Sequence, residues 1–331
     1  MISTSDIIRL TYTSDLTEGG ITFATRSLAF GFDHLSGSIY SRLRRNVGEA
    51  AVGLVFRRYL GEQGIPFNVI GALPFSEPDR YDVNLGGRRC NLNSYVTSKR
   101  SQITAMRRDP SVLLQAPAMV PEDQLTNNPR EQDLQLFSFL LGLTTNSPED
   151  IQKAVDAGQP TYLIHPFRAD WAHPQAWVSL GRLSFKSECS TPVNIEVGGL
   201  DAGRNFISET IALAPLTRSF ARNEYNSLAF IHTEKLPEAR VGVQSSGKGA
   251  VYIIQPHEWG NIWIYGMEIW LAGYLAQDEF RRKASTIFAG SRVFQYSKTQ
   301  AKNLSVPVID LRPLDHLFEQ VVRWEADKRS W

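Results

Sequence analysis

The residues best suited to chemistry concentrate in one stretch, Tyr81-Asp82-Val83-Asn84-Leu85-Gly86-Gly87-Arg88-Arg89-Cys90-Asn91-Leu92-Asn93-Ser94. Two short runs flank Gly86-Gly87, a pair that supplies the positive φ angles of a tight hairpin turn. Asp82, on the first strand, offers a carboxylate of the kind that holds a hard cation. On the second strand Asn91 and Asn93 stand two apart and therefore share a face. An asparagine is a neutral, weak oxygen ligand, and it has no positive charge to set against a developing anion. A basic segment, Ser98-Lys99-Arg100, follows directly.

These residues need elements to position them, and the apolar pattern predicts several. Ile21 to Leu28 alternates as a strand would, and a turn at Phe32-Asp33-His34 precedes a helix over 38–63. In that helix Leu43, Val47, Ala50 and Leu54 form one stripe, Ala51 and Val55 widen it, and Gly64 supplies the stop. Phe67 to Gly71 reads as a strand and 98–108 as a helix ended by Asp109-Pro110. Ala116 to Glu131 reads as a loop, and Leu134 to Leu143 as an apolar strand. Ser147-Pro148-Glu149-Asp150 is a helix start, with a hydroxyl cap, Pro at the first position and acids at the positive dipole end. From Tyr162 to Pro256 the texture becomes short alternating runs, among them Trp177 to Phe185, Val193 to Val197, Ser227 to His232 and Ala250 to Ile254. Aromatic strands over 262–274 and a helix over 277–285 come next, and Pro313 opens a last helix. No period of 20–50 residues repeats.

The order helix, strand, hairpin, helix, strand over 38–145 resembles the core of the PD-(D/E)XK, or restriction-endonuclease-like, nuclease superfamily. The resemblance rests on Glu49 in Asn46-Val47-Gly48-Glu49 of the leading helix, on Asp82 in the first hairpin strand, and on Asn91-Leu92-Asn93 where the family has acid-X-Lys. It continues with Ile269 to Leu275 before Asp278 to Ala284, and with Asn303 to Val308 before Asp310-Leu311-Arg312-Pro313. The family's chemistry is phosphodiester hydrolysis with a hard cation, usually Mg2+, that lowers the pKa of an attacking water. The resemblance implies a metal held by Asp82, the Leu92 carbonyl and Glu49, with Asn91 and Asn93 as degenerate catalytic positions and Lys99 as the nearest replacement cation. Losing one such cation costs about 100-fold or more in rate.

Three explanations of the asparagines stand open. The chain is a natural pseudonuclease, or Glu49 and Lys99 have taken over the missing roles, or the asparagines are substitutions that trap an uncleaved complex. A plainer reading is that they hydrogen-bond a loop. Arg88, Arg89, Arg100, Arg44 and Arg45, with Arg42, Arg57, Arg58, Lys99, Arg107 and Arg108, form a candidate track for a DNA backbone. Lys186-Ser187-Glu188 reads as a surface ion pair. His165, Trp171, His173 and Trp177 match no zinc spacing and read as packing ahead of a stacking platform.

Composition bounds the rest. The chain has 331 residues and a formal net charge of only +1, so any nucleic-acid surface must be local. Two cysteines, Cys90 and Cys189, make no disulfide framework, and residues 1–20 have no secretion-signal run, which predicts a soluble cytoplasmic chain. The apolar stretch 262–275 is short for a membrane span and contains Glu268. No Gly-X-Ser-X-Gly elbow and no Gly-rich phosphate loop occur. The expected fold is α/β: a restriction-endonuclease-like mixed-sheet core formed by 1–146 and 257–331, with a β-rich domain for target recognition inserted at 147–256. The expected partners are duplex DNA and a second copy of the chain, with no membrane. The rival reading is a non-catalytic protein-interaction or scaffold module.

Overall fold

The computed structural model describes residues 1–30, 38–69, 82–127 and 132–329, with side chains to 326. The chain is mixed α/β and divides into two compact units, one of 1–20, 48–143 and 264–331, the other of 21–47 and 144–263. Two helices, α1 (Ser14–Ala29) and α2 (Ile39–Glu62), contribute residues to both.

The first unit is built on strands β1 (Ile8–Thr11), β2 (Val83–Leu85), β3 (Arg88–Thr97), β4 (Pro117–Pro121) and β5 (Leu134–Leu143). Helix α3 (Arg100–Arg108) and the short α4 (Glu122–Asn127) lie between β3 and β5 in the chain. Nearly every residue of β5 is buried, as a continuous apolar run demands of a strand covered on both faces. It pairs in parallel with β3, Asn91 opposite Gln135 and Asn93 opposite Phe137.

The second unit is a pair of antiparallel sheets. Its elements are α5 (Pro148–Asp156), β6 (Leu163–Pro166), α6 (Ala169–Ala172), β7 (Leu183–Ser187), β8 (Val193–Leu200), β9 (Phe206–Leu213), β10 (Arg218–Phe220), β11 (Ser227–Thr233), β12 (Val241–Ser245), β13 (Ala250–Ile254) and β14 (Gly260–Asn261). The sheet orders are β10-β7-β12-β13 and β14-β6-β11-β8-β9. Phe185 and Val243 from the first share a core with Ile195, Val197 and Ile231 from the second. The Ser147 hydroxyl caps α5 by accepting from the Asp150 N–H at 3.1 Å. His165 is buried, its ring nitrogens 3.0 Å from the Glu258 carbonyl oxygen and 3.0 Å from the Tyr252 hydroxyl, which makes it a packed core group.

The chain then returns to the first unit with β15 (Tyr265–Ala276), α7 (Gln277–Lys283), β16 (Ser285–Ile287), β17 (Asn303–Pro307) and α8 (Leu314–Arg329). Its main sheet runs β1-β15-β5-β3-β2, mixed because only β3 and β5 are parallel, and β16-β17-β4 form a second sheet. Tyr95, Phe137, Phe139, Trp270 and Phe280 belong to the core on one face of the main sheet.

Several expectations need correction. The strand predicted at 21–28 is helical, because Leu16, Thr17, Ile21, Ala24 and Thr25 are buried at three- and four-residue spacing. The β-branched residues that suggest a strand are accommodated there, the Thr25 hydroxyl donating to the Ile21 carbonyl at 2.9 Å. The expected loop over 116–131 contains β4 and α4, and its residues 128–131 lie outside the described ones. Of the strand predicted at 177–185 only 183–185 is strand, within β7, and Trp177 lies before it, its indole donating to the Ala202 carbonyl at 3.0 Å. The predicted turn at 32–34, residues 70–71 of one predicted strand, and Tyr81 also lie outside the described residues. No described helix is long and apolar enough to cross a membrane.

Candidate functional site

The site is built on the β2–β3 hairpin. Gly86 at φ +58° and Gly87 at φ +85° make the turn, and the Gly87 N–H is held by the Asn84 side-chain oxygen at 2.9 Å. Just outside β2, Asp82 continues the pairing, its N–H donating to the Cys90 carbonyl at 3.0 Å. Its carboxylate turns to β3 and accepts the Leu92 N–H at 2.6 Å. The hairpin therefore brings Asp82 against the Asn91-Leu92-Asn93 triplet.

Asp82 is reached by solvent but lies amid dense protein, and that desolvation raises its pKa above the ordinary carboxylate range. The Leu92 N–H and the Arg57 guanidinium favour the charged form without overcoming it. Among the described residues Arg57, on α2, is the cation that acts on Asp82. Glu49 is exposed on the same helix, and Lys99 is exposed at the N-cap of α3.

The asparagines take different roles. Asn91 is half-buried beside Gln135. The Asn93 amide donates to the Gln135 side-chain oxygen at 2.9 Å and to the Leu136 carbonyl at 3.2 Å. Gln135 donates in turn to the Gln277 side-chain oxygen at 3.0 Å, and the Gln277 N–H donates to the Asp133 carbonyl at 2.8 Å. Asp133 closes this network with Arg89, Nε to Oδ1 at 3.1 Å and Nη2 to Oδ2 at 2.6 Å, with both side chains buried. Neutral amides and an internally neutralised ion pair line this part of the sheet.

Two residues of the expected DNA track need correction. Arg89 cannot meet a phosphate, because Asp133 consumes its guanidinium in the interior. Arg44 lies in the second unit and is a structural clamp, donating to the Asn261 carbonyl at 2.9 Å, to Asn146 Oδ1 at 2.7 Å and to the Thr145 carbonyl at 2.7 Å. Arg45 is half-buried in that same unit, and Arg107 is paired with Glu268. Arg88 lies over the Trp324 ring at 5.4 Å, while Arg100 is exposed.

Mg2+ takes oxygen ligands, best when charged; of the expected set Asp82 and Glu49 are exposed carboxylates, whereas Asn91 and Asn93 are uncharged. Among the described residues, no three His, Cys, Asp or Glu side chains gather where a metal could be held. Burial pushes the Cys90 thiol up, so it supplies no thiolate nucleophile.

Sequence reading missed Asp133, Gln135 and Gln277, and it placed Arg57 in the phosphate track with no link to Asp82. A signal existed for the first two. Asp133 and Gln135 are polar, two apart and flank Leu134 where the apolar run begins, so they share one strand face. Comparison with protein-family models, with curated proteins and with solved structures finds no match for this chain.

Proposed function

We propose that this chain is a nucleic-acid-binding protein on a restriction-endonuclease-like frame whose hydrolytic site has been replaced by neutral hydrogen bonding. The observation that carries the reading is the Asn93–Gln135–Gln277 network. It runs beside a hairpin acid, Asp82, at the position where the family resemblance calls for acid-X-Lys. The parallel β3–α3–β5 connection after the hairpin supports the same frame. Without a cation at position 93, charge building on a phosphate goes unopposed, at a cost of about 100-fold or more in rate.

Support for binding comes from the start of α3. Lys99 and Arg100 are exposed there, the first turn has no acid, and no side chain caps the helix. Uncapped N–H groups, the positive dipole end and two cations favour a phosphate. The test is duplex binding by the full chain, measured against salt. Replacing Lys99 and Arg100 with Ala should weaken binding and reduce the salt slope by up to about 2. An unchanged slope would remove α3 from the interface, and no duplex binding by the unaltered chain would overturn the reading.

A further inference from the structure

The second unit carries a separate basic cleft on the outer face of the β10-β7-β12-β13 sheet. The sequence pairs Lys186 with Glu188, but Glu188 is taken by Arg240, Nε to Oε2 at 2.8 Å and Nη2 to Oε1 at 3.1 Å. Lys186 is left without an ion pair among the described residues. The sheet register sets Arg218 directly opposite Lys186 on one side and Gly242 on the other, with Ile253 beyond Gly242. Like charges directly opposite on neighbouring strands destabilise a sheet. Among the described residues Arg218 finds the neutral Gln244 oxygen as its partner and no acid.

Gly242 explains the opening. A side chain added there would meet no atom closer than the Tyr252 carbonyl oxygen at 3.9 Å, so packing beneath does not require glycine. Beside it lies a cleft of about 140 Å3 lined by Lys186, Arg218, Gln244, Val251 and Ile253, and by the mutually paired Glu188 and Arg240, so that Lys186 and Arg218 are its two cations in excess of acid. Val251 and Ile253 are 59% and 49% exposed, an apolar flank beside the two cations. Further along the same face Phe220 is exposed, with the Arg182 guanidinium 3.8 Å over its ring.

We infer that this face binds a single nucleic-acid strand, one phosphate seated between Lys186 and Arg218 above Gly242. The charge complementarity selects an anion, and the alternation of cations with exposed apolar and aromatic side chains suits a polymer that alternates phosphates with bases. The inference rests on the reading above only for the class of polymer. Its surface is a different one.

The experiment measures anisotropy of a labelled twelve-residue oligothymidylate with the full chain across a salt series. The unaltered chain should bind. Lys186→Ala with Arg218→Ala should weaken binding about tenfold and reduce the salt slope by about 0.7, the value for one phosphate contact on a single strand. Gly242→Val should weaken binding by filling the cleft. The Lys186→Ala single variant should melt no lower than the unaltered chain, since it relieves repulsion. Removing Lys99 and Arg100 should spare oligothymidylate binding while weakening duplex binding, which separates failure of this inference from failure of the frame. No binding by the unaltered chain, or unchanged binding by both cleft variants, would overturn it. Equal displacement of the oligonucleotide by polyglutamate would also overturn it, in favour of an acidic protein partner.

Discussion

Arg89 offers the sharpest separation of a structural from a DNA-contacting role. Its guanidinium meets Asp133 in two bonds of 3.1 Å and 2.6 Å, the side chains only 7% and 5% exposed. Arg89→Met leaves the Asp133 carboxylate buried without its cation, and breaking a buried pair in this way costs about 3–5 kcal/mol. In a unit of this size 1 kcal/mol shifts Tm by about 2–4 °C, so the variant should melt roughly 10 °C lower. Replacing both partners, Arg89→Met with Asp133→Leu, removes the stranded charge and should recover much of that loss. The assay is thermal melting of the unaltered chain and the two variants by circular dichroism, with duplex binding measured below every transition. A loss under about 1 kcal/mol in Arg89→Met, joined to a reduced salt slope of DNA binding, would refute the structural assignment.

Three further outcomes follow from the same geometry. Gly86→Ala should destabilise by about 2–4 kcal/mol, because a Cβ there would lie 2.5 Å from the Trp324 ring on a left-handed backbone; Gly87→Ala, with nothing within 4 Å, should cost only about 1 kcal/mol; equal losses on urea unfolding would contradict this. Burial holds His232 down to about 4, against its hydrogen bond to the Leu163 carbonyl, while the ring stacks on Tyr162 at 3.5 Å. With the folded pKa depressed, the neutral imidazole's stability is present above about pH 6.5 and lost as pH falls toward 4; after a discount for partial exposure the loss is about 1–2 kcal/mol. His232→Phe should shallow the pH–Tm curve in that window, and an unchanged curve would count against the buried neutral ring. Asp82 has a raised pKa, so its ionisation costs stability as pH rises from the unfolded value through the folded one. Asp82→Asn, which keeps an acceptor for the Leu92 N–H, should therefore melt higher than the unaltered chain at pH 7, with the difference vanishing below about pH 4; a lower Tm at pH 7 would show that the carboxylate's charge stabilises the hairpin.

Local features of this chain were legible and long-range pairings were not. The apolar run from Leu134 to Leu143 reads as a doubly covered strand, and it is β5. Gly86-Gly87 reads as a hairpin turn and Ser147 as a cap, since each follows from local backbone chemistry. The mixed α/β class also follows from the order of such segments. Helix α1 was misread because Ile21, Thr22 and Thr25 favour strands locally, while burial at helical spacing decides the outcome. Charged side chains were the least legible. Arg89 finds Asp133 44 residues away and Arg44 finds Asn261 217 residues away, whereas spacing suggested a common phosphate track. In the same way Glu188 takes Arg240, 52 residues on, in place of the nearby Lys186. Residue 93 was legible as an uncharged amide, but only the fold supplied the Gln135 that engages it.

The most direct test compares the unaltered chain with an Asn91→Asp, Asn93→Lys variant on plasmid DNA in Mg2+ and in Mn2+, with binding of the same DNA measured in Ca2+. A neutralised nuclease frame predicts that the unaltered chain binds without cutting and that the variant, which restores the acid and the cation, gains cleavage. Cleavage by the unaltered chain that Asp82→Ala abolishes would contradict the account, since it would show a working metal site where neutral amides are assigned.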